Sequence, residues 1–216
     1  MNQELKKLYL QYQQEFQKVS DMTDEKNHIH GPFLISPDDK YFNQQKKIMI
    51  VGKETFGWIK HGGNIDLAME HYREFNLGSK YYSSPFWNIT RKIETIFDIE
   101  PYSCVWGNLS KFDVNQGTPY GIYLEEISKL DKLLREEIHI LEPDNIIFFT
   151  GPSLDYRIKN IFKDIVFEPI EGFSRNQLCR LTHPELPLNT WRTYHPNYIR
   201  RSGLEQKLLS FFKNED

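Results

Sequence analysis

Apolar residues recur at helical spacing in several stretches of the chain. Their intervals of three and four residues predict an amphipathic helix over 3–19 and a long one over 124–138. Pro85 predicts the start of another helix, because proline is favoured at the first helical position. A short helix is expected over 153–162 and a terminal one around 204–212. The inner face of the helix that begins at Pro85 carries Phe86, Ile89, Ile93, Ile96 and Phe97.

Continuous apolar runs predict buried strands over 47–52 and 145–151, and a less apolar run predicts one over 102–107. Strands that alternate with helices at this spacing indicate an α/β fold with an open sheet. A length of 216 residues suits one domain, with residues 1–45 as an N-terminal helical extension packed on it. Oligomeric state is left open.

Composition narrows the class of protein. Hydrophobic residues make up 39% and charged residues 26%, which is typical of a globular chain and excludes a disordered one. No apolar run reaches the roughly 18 residues that a membrane-spanning helix needs. The first residues lack the apolar core of a signal peptide, and two isolated cysteines supply no disulfide framework. We therefore expect a cytoplasmic protein with no membrane partner.

Arginine and aromatic residues concentrate near the C-terminus. Residues 172–203 contain five arginines, no lysine and one acid, although the whole chain has a net charge of −3. Such a segment suits a phosphate-bearing or nucleic-acid ligand. The alternative is an arginine-rich surface loop that pairs with acids elsewhere. The arginines are Arg175, Arg180, Arg192, Arg200 and Arg201.

The residues that follow each strand are candidates for a site, because ligands of open α/β sheets bind beyond the carboxyl ends of the strands. These residues are 53–55, 108–111 and 150–152. In the first loop, Glu54 suits a general base or an electrostatic stabiliser facing an aromatic pocket built from Phe56 and Trp58. The alternative is that Glu54 caps a helix or pairs with a basic residue such as Lys53.

Asn108 and His195 are further candidate site residues, and each also has a purely structural interpretation. Asn108 follows the second strand, where its amide suits the edge of a nucleobase, although such an asparagine often only closes a turn. His195 precedes a proline, which restrains the backbone and directs the imidazole. Most single histidines are structural, and a second His-Pro pair at His183 is either another ligand contact or a turn.

The order of these motifs resembles the uracil-DNA glycosylase superfamily. Its members have a strand-end motif of the Gly-Gln-Asp-Pro-Tyr-His or Gly-Glu-Ala-Pro-Gly type, a Pro-Phe segment and a late His-Pro-Ser-Pro-type loop. The corresponding segments here are 52–54, 85–86 and 195–199, and the similarity covers roughly residues 46–201. Threonine replaces the first proline, and the late loop lacks Ser-Pro. The resemblance implies a three-layer α/β/α sandwich around a short, mostly parallel four-stranded sheet.

The resemblance also implies a chemistry, which is hydrolysis of the N-glycosidic bond of a uracil-type or other deaminated base in DNA. Glu54 and His195 would be catalytic, with Glu54 activating water and His195 stabilising charge on the leaving base. The substrate would contact Gly52, Lys53, Phe56, Phe86, Asn108 and Tyr198, with Phe86 stacked on the extruded base. Tyr198 or Ile199 would fill the gap in the stack, and Ile199, Arg200 and Arg201 would bind DNA.

Other functions stay open at this point. Lys53 also allows a variant in which its amine attacks the sugar carbon. The chain is alternatively a non-catalytic nucleic-acid or nucleotide-binding protein with the same fold, or an unrelated α/β hydrolase or transferase. No metal site and no cofactor are predicted, because His28 and His30 have no cluster of further ligands near them in sequence.

Overall fold

The computed structural model describes residues 1–60, 62–81 and 83–215. Helices flank a mostly parallel sheet, as the alternation of strands and helices predicted, and the arrangement is consistent with three layers. The α-helices are α1 (Asn2–Gln11), α2 (Gln13–Ser20), α3 (Asp39–Asn43), α4 (Ile65–Phe75), α5 (Pro85–Ile96), α6 (Gly121–Ile127), α7 (Lys132–Leu141), α8 (Asp155–Ile161), α9 (Pro196–Arg201) and α10 (Glu205–Glu215). The strands are β1 (Ile29–His30), β2 (Ile48–Gly52), β3 (Val105–Asn108), β4 (Asp113–Val114), β5 (Asn145–Phe148), β6 (Val166–Pro169), β7 (Leu178–Thr182) and β8 (Asn189–Thr193).

The parallel part of the main sheet consists of β3, β2, β5 and β8 in that order. Strand β2 is buried along its whole length, as its apolar sequence requires for a strand covered on both faces. The register places Gly52 opposite Asn108 at the carboxyl ends of β2 and β3. This pairing brings the first two predicted loops to the same edge of the sheet.

The main sheet has six strands among the described residues, so the predicted number of four is wrong. Strands β7 and β6 extend the sheet beyond β8 in antiparallel pairs. Strand β8 has the polar sequence Asn-Thr-Trp-Arg-Thr, yet Arg192 is buried because it forms an ion pair with Asp155. The sequence of β8 contains no continuous apolar run, so the pattern of hydrophobic residues does not predict this strand.

The predicted helices are present, with differences in continuity. The helix expected over 3–19 is divided at Tyr12 into α1 and α2, whose buried sides include Leu5, Tyr9 and Phe16. The helix expected over 124–138 is interrupted by a short 3-10 turn at 128–130 between α6 and α7. Strand β3 begins at Val105, three residues later than expected.

Residues 1–45 contribute to the same core as the sheet. The Tyr9 hydroxyl donates a hydrogen bond to Glu137 on α7 over 2.8 Å, and Lys111 forms an ion pair with the same carboxylate. Both partners of this ion pair are fully buried. Phe33 packs against Trp58 and Trp106, with ring centroids 5.2 and 4.5 Å away. The N-terminal segment therefore supports the wall of the site described next.

Candidate functional site

A cavity of about 860 Å³ opens at the carboxyl ends of β2 and β3, beside the beginnings of α5 and α9. Segments that are far apart in sequence meet there, as expected for an open α/β sheet, in which ligands bind beyond the carboxyl ends of the strands. It includes the predicted site residues Gly52, Lys53, Glu54, Phe56, Phe86, Asn108 and His195. Its other lining residues are Thr55, Gly57, Trp58, Ile59, His71, Phe75, Tyr81, Ser84, Pro85, Trp87, Trp106 and Asn197.

Asn108 is fully buried at the end of β3 and presents its amide nitrogen as a free donor. The Trp106 indole N–H donates to Asn108 Oδ1 over 3.1 Å, which fixes the orientation of the amide. No hydrogen-bond partner of Asn108 Nδ2 exists among the described residues. Because an unpaired buried donor is costly, a ligand with an acceptor at this point would be favoured.

Gly52 makes room for this asparagine. A Cβ atom at Gly52 would lie 2.4 Å from Asn108 Oδ1, closer than any side chain tolerates. The same atom would be 3.5 Å from the Phe86 ring. The glycine at the end of β2 is therefore required by close packing at the floor of the cavity.

Glu54 directs a carboxylate into the cavity from the loop after β2. The Thr118 hydroxyl donates to Glu54 Oε1 over 2.9 Å, whereas Oε2 is buried without a partner in the described part of the chain. Burial raises the pKa of Glu54 above its ordinary value of 4.5, and the Thr118 hydrogen bond and the Lys53 charge oppose this increase. One oxygen is thus positioned by Thr118, and the other has an unused capacity to accept a hydrogen bond.

His195 is a neutral imidazole that carries its proton on Nε2. Its Nδ1 accepts a hydrogen bond from the backbone N–H of Asn197 over 3.3 Å, at the start of α9. A nitrogen that accepts cannot also carry the proton of a neutral ring. Burial, assisted by the positive charge of Lys53, lowers the pKa of His195 to about 4. At neutral pH the ring is therefore an uncharged hydrogen-bond donor.

Aromatic rings form much of the cavity wall. Phe86 is half-buried at the start of α5, with its ring centroid 5.9 Å from that of His195 and 6.1 Å from that of Trp106. Flat apolar walls of this kind suit a planar ring, since stacking adds to the burial of apolar surface. The rings that line the cavity belong to Phe56, Trp58, His71, Phe75, Tyr81, Phe86, Trp87, Trp106 and His195.

Asp113 organises the first loop from outside the cavity, and sequence reasoning missed it. Its fully buried carboxylate accepts hydrogen bonds from the Thr55 hydroxyl and from the backbone N–H groups of Gly57 and Trp58. His30 Nδ1 and the Gln116 N–H complete the set. An aspartate between Phe112 and Val114 gave a weak signal, because four of its five donors come from two segments that are distant in sequence. Trp106 was also not predicted, whereas Trp58, which was expected in the pocket that Glu54 faces, lines the cavity.

Of the late loop, His195 and Asn197 line the cavity, but Tyr198 and Ile199 do not. Ile199 is fully buried, because α9 turns this side chain toward the core, so its predicted contact with DNA is wrong. Tyr198 is half-exposed but does not line the cavity, and its ring packs against Tyr194 with centroids 4.3 Å apart. Arg200 and Arg201 are exposed on α9 and stay candidates for phosphate contacts.

Several other residues placed in the cleft by the strand-end rule have structural roles. Ser110 accepts a hydrogen bond from buried Arg157, and Lys111 pairs with Glu137. Residues 150–152 do not line the cavity. Arg192 pairs with Asp155 and Arg180 with Glu215, so part of the arginine-rich segment is neutralised within the protein. His183 interacts with the Lys163 carbonyl and with the Glu185 N–H, as a turn residue does.

In the described ranges, no group of three or more His, Cys, Asp or Glu side chains is arranged to hold a metal ion. Cys104 and Cys179 are buried free thiols. None of the helices in the described part of the chain has the length and apolar character needed to cross a bilayer.

Comparison with known families gives no assignment. No protein-family model matches the chain. No curated protein matches it either.

Proposed function

We propose that the protein is a DNA base-excision glycosylase with a uracil-DNA glycosylase-like fold, acting on a uracil-type or other deaminated base. The proposal depends chiefly on one observation, the convergence of Glu54, Asn108 and His195 on one aromatic cavity. Each contributes a different function: a carboxylate with a free oxygen, an oriented amide donor and a neutral imidazole donor. Together they match what cleavage of a base from its sugar requires.

The reaction would begin with a nucleotide rotated out of the helix, since a stacked base is inaccessible. Its ring would stack on Phe86, and the free N–H of Asn108 would donate to an exocyclic oxygen of the base. Breaking the glycosidic bond leaves negative charge on the base and positive charge on the sugar. His195 Nε2–H would stabilise the first charge and the Glu54 carboxylate the second.

Glu54 would also supply the water that completes the hydrolysis. Its Oε1 is held by Thr118, so Oε2 is the oxygen available to a water molecule that attacks the sugar carbon. The proton of that water passes to the carboxylate, and the base leaves as an anion before protonation. A raised pKa makes Glu54 a stronger base than an exposed glutamate.

A glycosylase assay tests the proposal. Labelled oligonucleotides that contain uracil, hypoxanthine, xanthine or a mismatched base, in single- and double-stranded form, are incubated with the protein and cleaved by alkali at abasic sites. We expect Glu54→Gln and His195→Ala each to lower the rate by about 10²–10³. Glu168→Gln and His139→Ala, at exposed positions outside the cavity, are the matched controls and should retain full activity.

The assay also separates a catalyst from a binder. A catalyst loses turnover in Glu54→Gln while its affinity for DNA persists. If the wild-type protein yields no abasic product on any substrate yet binds DNA in a salt-dependent way, the non-catalytic alternative is correct. If it binds no DNA, the nucleic-acid proposal is wrong.

A further inference from the structure

Phe56 is an apolar ring held in solvent at the mouth of the cavity. Its side chain is 83% exposed although it lines the cavity. Ile59 and Tyr81 accompany it on the rim and are also about half-exposed. A cluster of exposed apolar side chains next to a binding cavity indicates a surface that is covered when the ligand binds.

Hydrogen bonds to Asp113 anchor the turn that carries Phe56. Asp113 Oδ2 accepts hydrogen bonds from Thr55 Oγ1 at 2.7 Å, from the Gly57 N–H at 3.0 Å and from the Trp58 N–H at 3.3 Å. Gly57 has a φ of +77°, and a Cβ there would lie 3.1 Å from Gln116 Cγ. The exposed ring is therefore presented by a hydrogen-bonded turn, and such preorganisation would lower the entropy lost when the ring contacts a partner.

Phe56 is placed to fill the gap that an extruded nucleotide leaves in the base stack. Once a nucleotide has rotated out of a duplex, an apolar side chain commonly occupies the gap in the base stack. The residue first expected there, Ile199, is buried in the core and unavailable. Tyr198 packs on Tyr194 outside the cavity.

We propose that Phe56 is the wedge that enters the DNA duplex and holds the target nucleotide out of the stack. This inference rests on the proposed function, and it assigns the strand-opening step to the first loop instead of the late one. Glu54, two residues earlier, faces the extruded nucleotide while Phe56 faces the gap. One anchored turn would thus couple base extrusion to placement of the carboxylate.

The test compares the same lesion in single-stranded and duplex DNA. Because a single strand needs no opening, Phe56→Ala should lower kcat/KM on the duplex by about tenfold to a hundredfold, and on the single strand by less than about threefold. Phe56→Leu keeps an apolar wedge and should recover most of the duplex activity. Leu188→Ala, which removes a side chain that is 84% exposed outside the cavity, is the matched control.

A second readout does not depend on turnover. The fluorescence of 2-aminopurine placed beside the target base in a duplex rises when the stack opens, and we expect the rise with wild type and Phe56→Leu but not with Phe56→Ala. Equal losses on both DNA forms, no loss on either, or a duplex-selective loss in Tyr198→Ala alone would overturn the wedge. In each case a wild type that still excises a base preserves the glycosylase proposal. A wild type that neither excises nor unstacks contradicts both.

Discussion

At the scale of single residues, the orientation of one amide sets the specificity that we expect. Trp106 occupies Asn108 Oδ1, so the site offers a donor and favours a base with an exocyclic oxygen over one with an amino group. A well-placed hydrogen bond of this kind discriminates by ~1–3 kcal/mol. The indole therefore acts as a positioning residue for the asparagine.

We predict that Trp106→Phe weakens this discrimination. The phenyl ring keeps most of the aromatic wall but frees Asn108 to rotate, so the preference for uracil over cytosine should fall by about tenfold. Competition binding with free bases or nucleosides measures the ratio. Trp87→Phe removes another indole of the same wall that does not bond to Asn108, and it should leave the ratio unchanged. An equal loss in both variants would show that ring volume alone sets the preference.

The buried carboxylate predicts opposite effects of pH on activity and stability. The proposed reaction needs ionised Glu54, so kcat/KM should rise with pH through the raised pKa of Glu54. His195 is already neutral above about pH 4, its own lowered pKa, and adds no step at higher pH. The activity profile of the wild type on its excised base measures this acid limb. A limb that begins at the pKa of an ordinary exposed glutamate would contradict the assignment.

The contribution of Glu54 to the stability of the fold should change with pH in the opposite direction to activity. Folded Glu54 binds its proton more tightly than unfolded Glu54, so its contribution to stability falls as pH rises from the ordinary pKa of 4.5 to the raised one. Glu54→Gln should consequently be more stable than wild type at pH 8, and the difference should disappear well below pH 4.5. Urea unfolding at both pH values measures this, with Glu168→Gln as the control that shows no pH-dependent gap.

At the scale of elements, the loop after β2 depends on a residue that never touches the cavity. In the wild type, five donors share the two carboxylate oxygens of Asp113. Asp113→Asn keeps the size of the side chain but leaves only one oxygen to accept these hydrogen bonds. Leaving buried donors unpaired should lower the free energy of unfolding by about 2–3 kcal/mol. Urea unfolding tests this, and exposed Asp39→Asn should change little. Unaltered stability of Asp113→Asn would show that the carboxylate does not hold the turn.

The sequence predicted those elements whose own residues show a continuous or periodic pattern of apolar positions. The buried run of β2, the strand β5 and the Pro85 helix are apolar at regular intervals, so they were found. Strand β8 was not, because Arg192 is compensated by Asp155 on another element. Likewise the strand-end rule placed Glu54 and Asn108 in one cavity, but not the roles of Asp113 and Trp106. Those depend on partners that only the folded chain brings together.

At the scale of the whole molecule, the arginine-rich segment divides into two parts. Arg180 and Arg192 are paired within the protein, whereas Arg200 and Arg201 are exposed on α9, the helix that His195 precedes. The exposed positive charge of this segment therefore lies on α9, the helix whose first turn borders the cavity through His195 and Asn197. An anionic backbone would bind there without any sequence preference.

We predict that Arg200→Ala and Arg201→Ala each weaken DNA binding on every sequence by a similar factor. Each should also reduce the slope of log K against log salt by about 1, since each arginine displaces roughly one counterion. Fluorescence anisotropy at several salt concentrations measures both quantities. Arg135→Ala removes the same charge from the ion pair with Glu185 and serves as the control. Slopes that do not differ from the control would remove α9 from the DNA interface.

The aromatic wall also gives the molecule a built-in optical reporter. Three of its four tryptophans, Trp58, Trp87 and Trp106, line the cavity, and Trp191 is buried elsewhere. A heterocycle that stacks among these indoles would quench their emission, so occupancy can be followed without a label. With Glu54→Gln, which is expected to bind without turnover, a simple fluorescence titration could rank candidate bases before any substrate is synthesised.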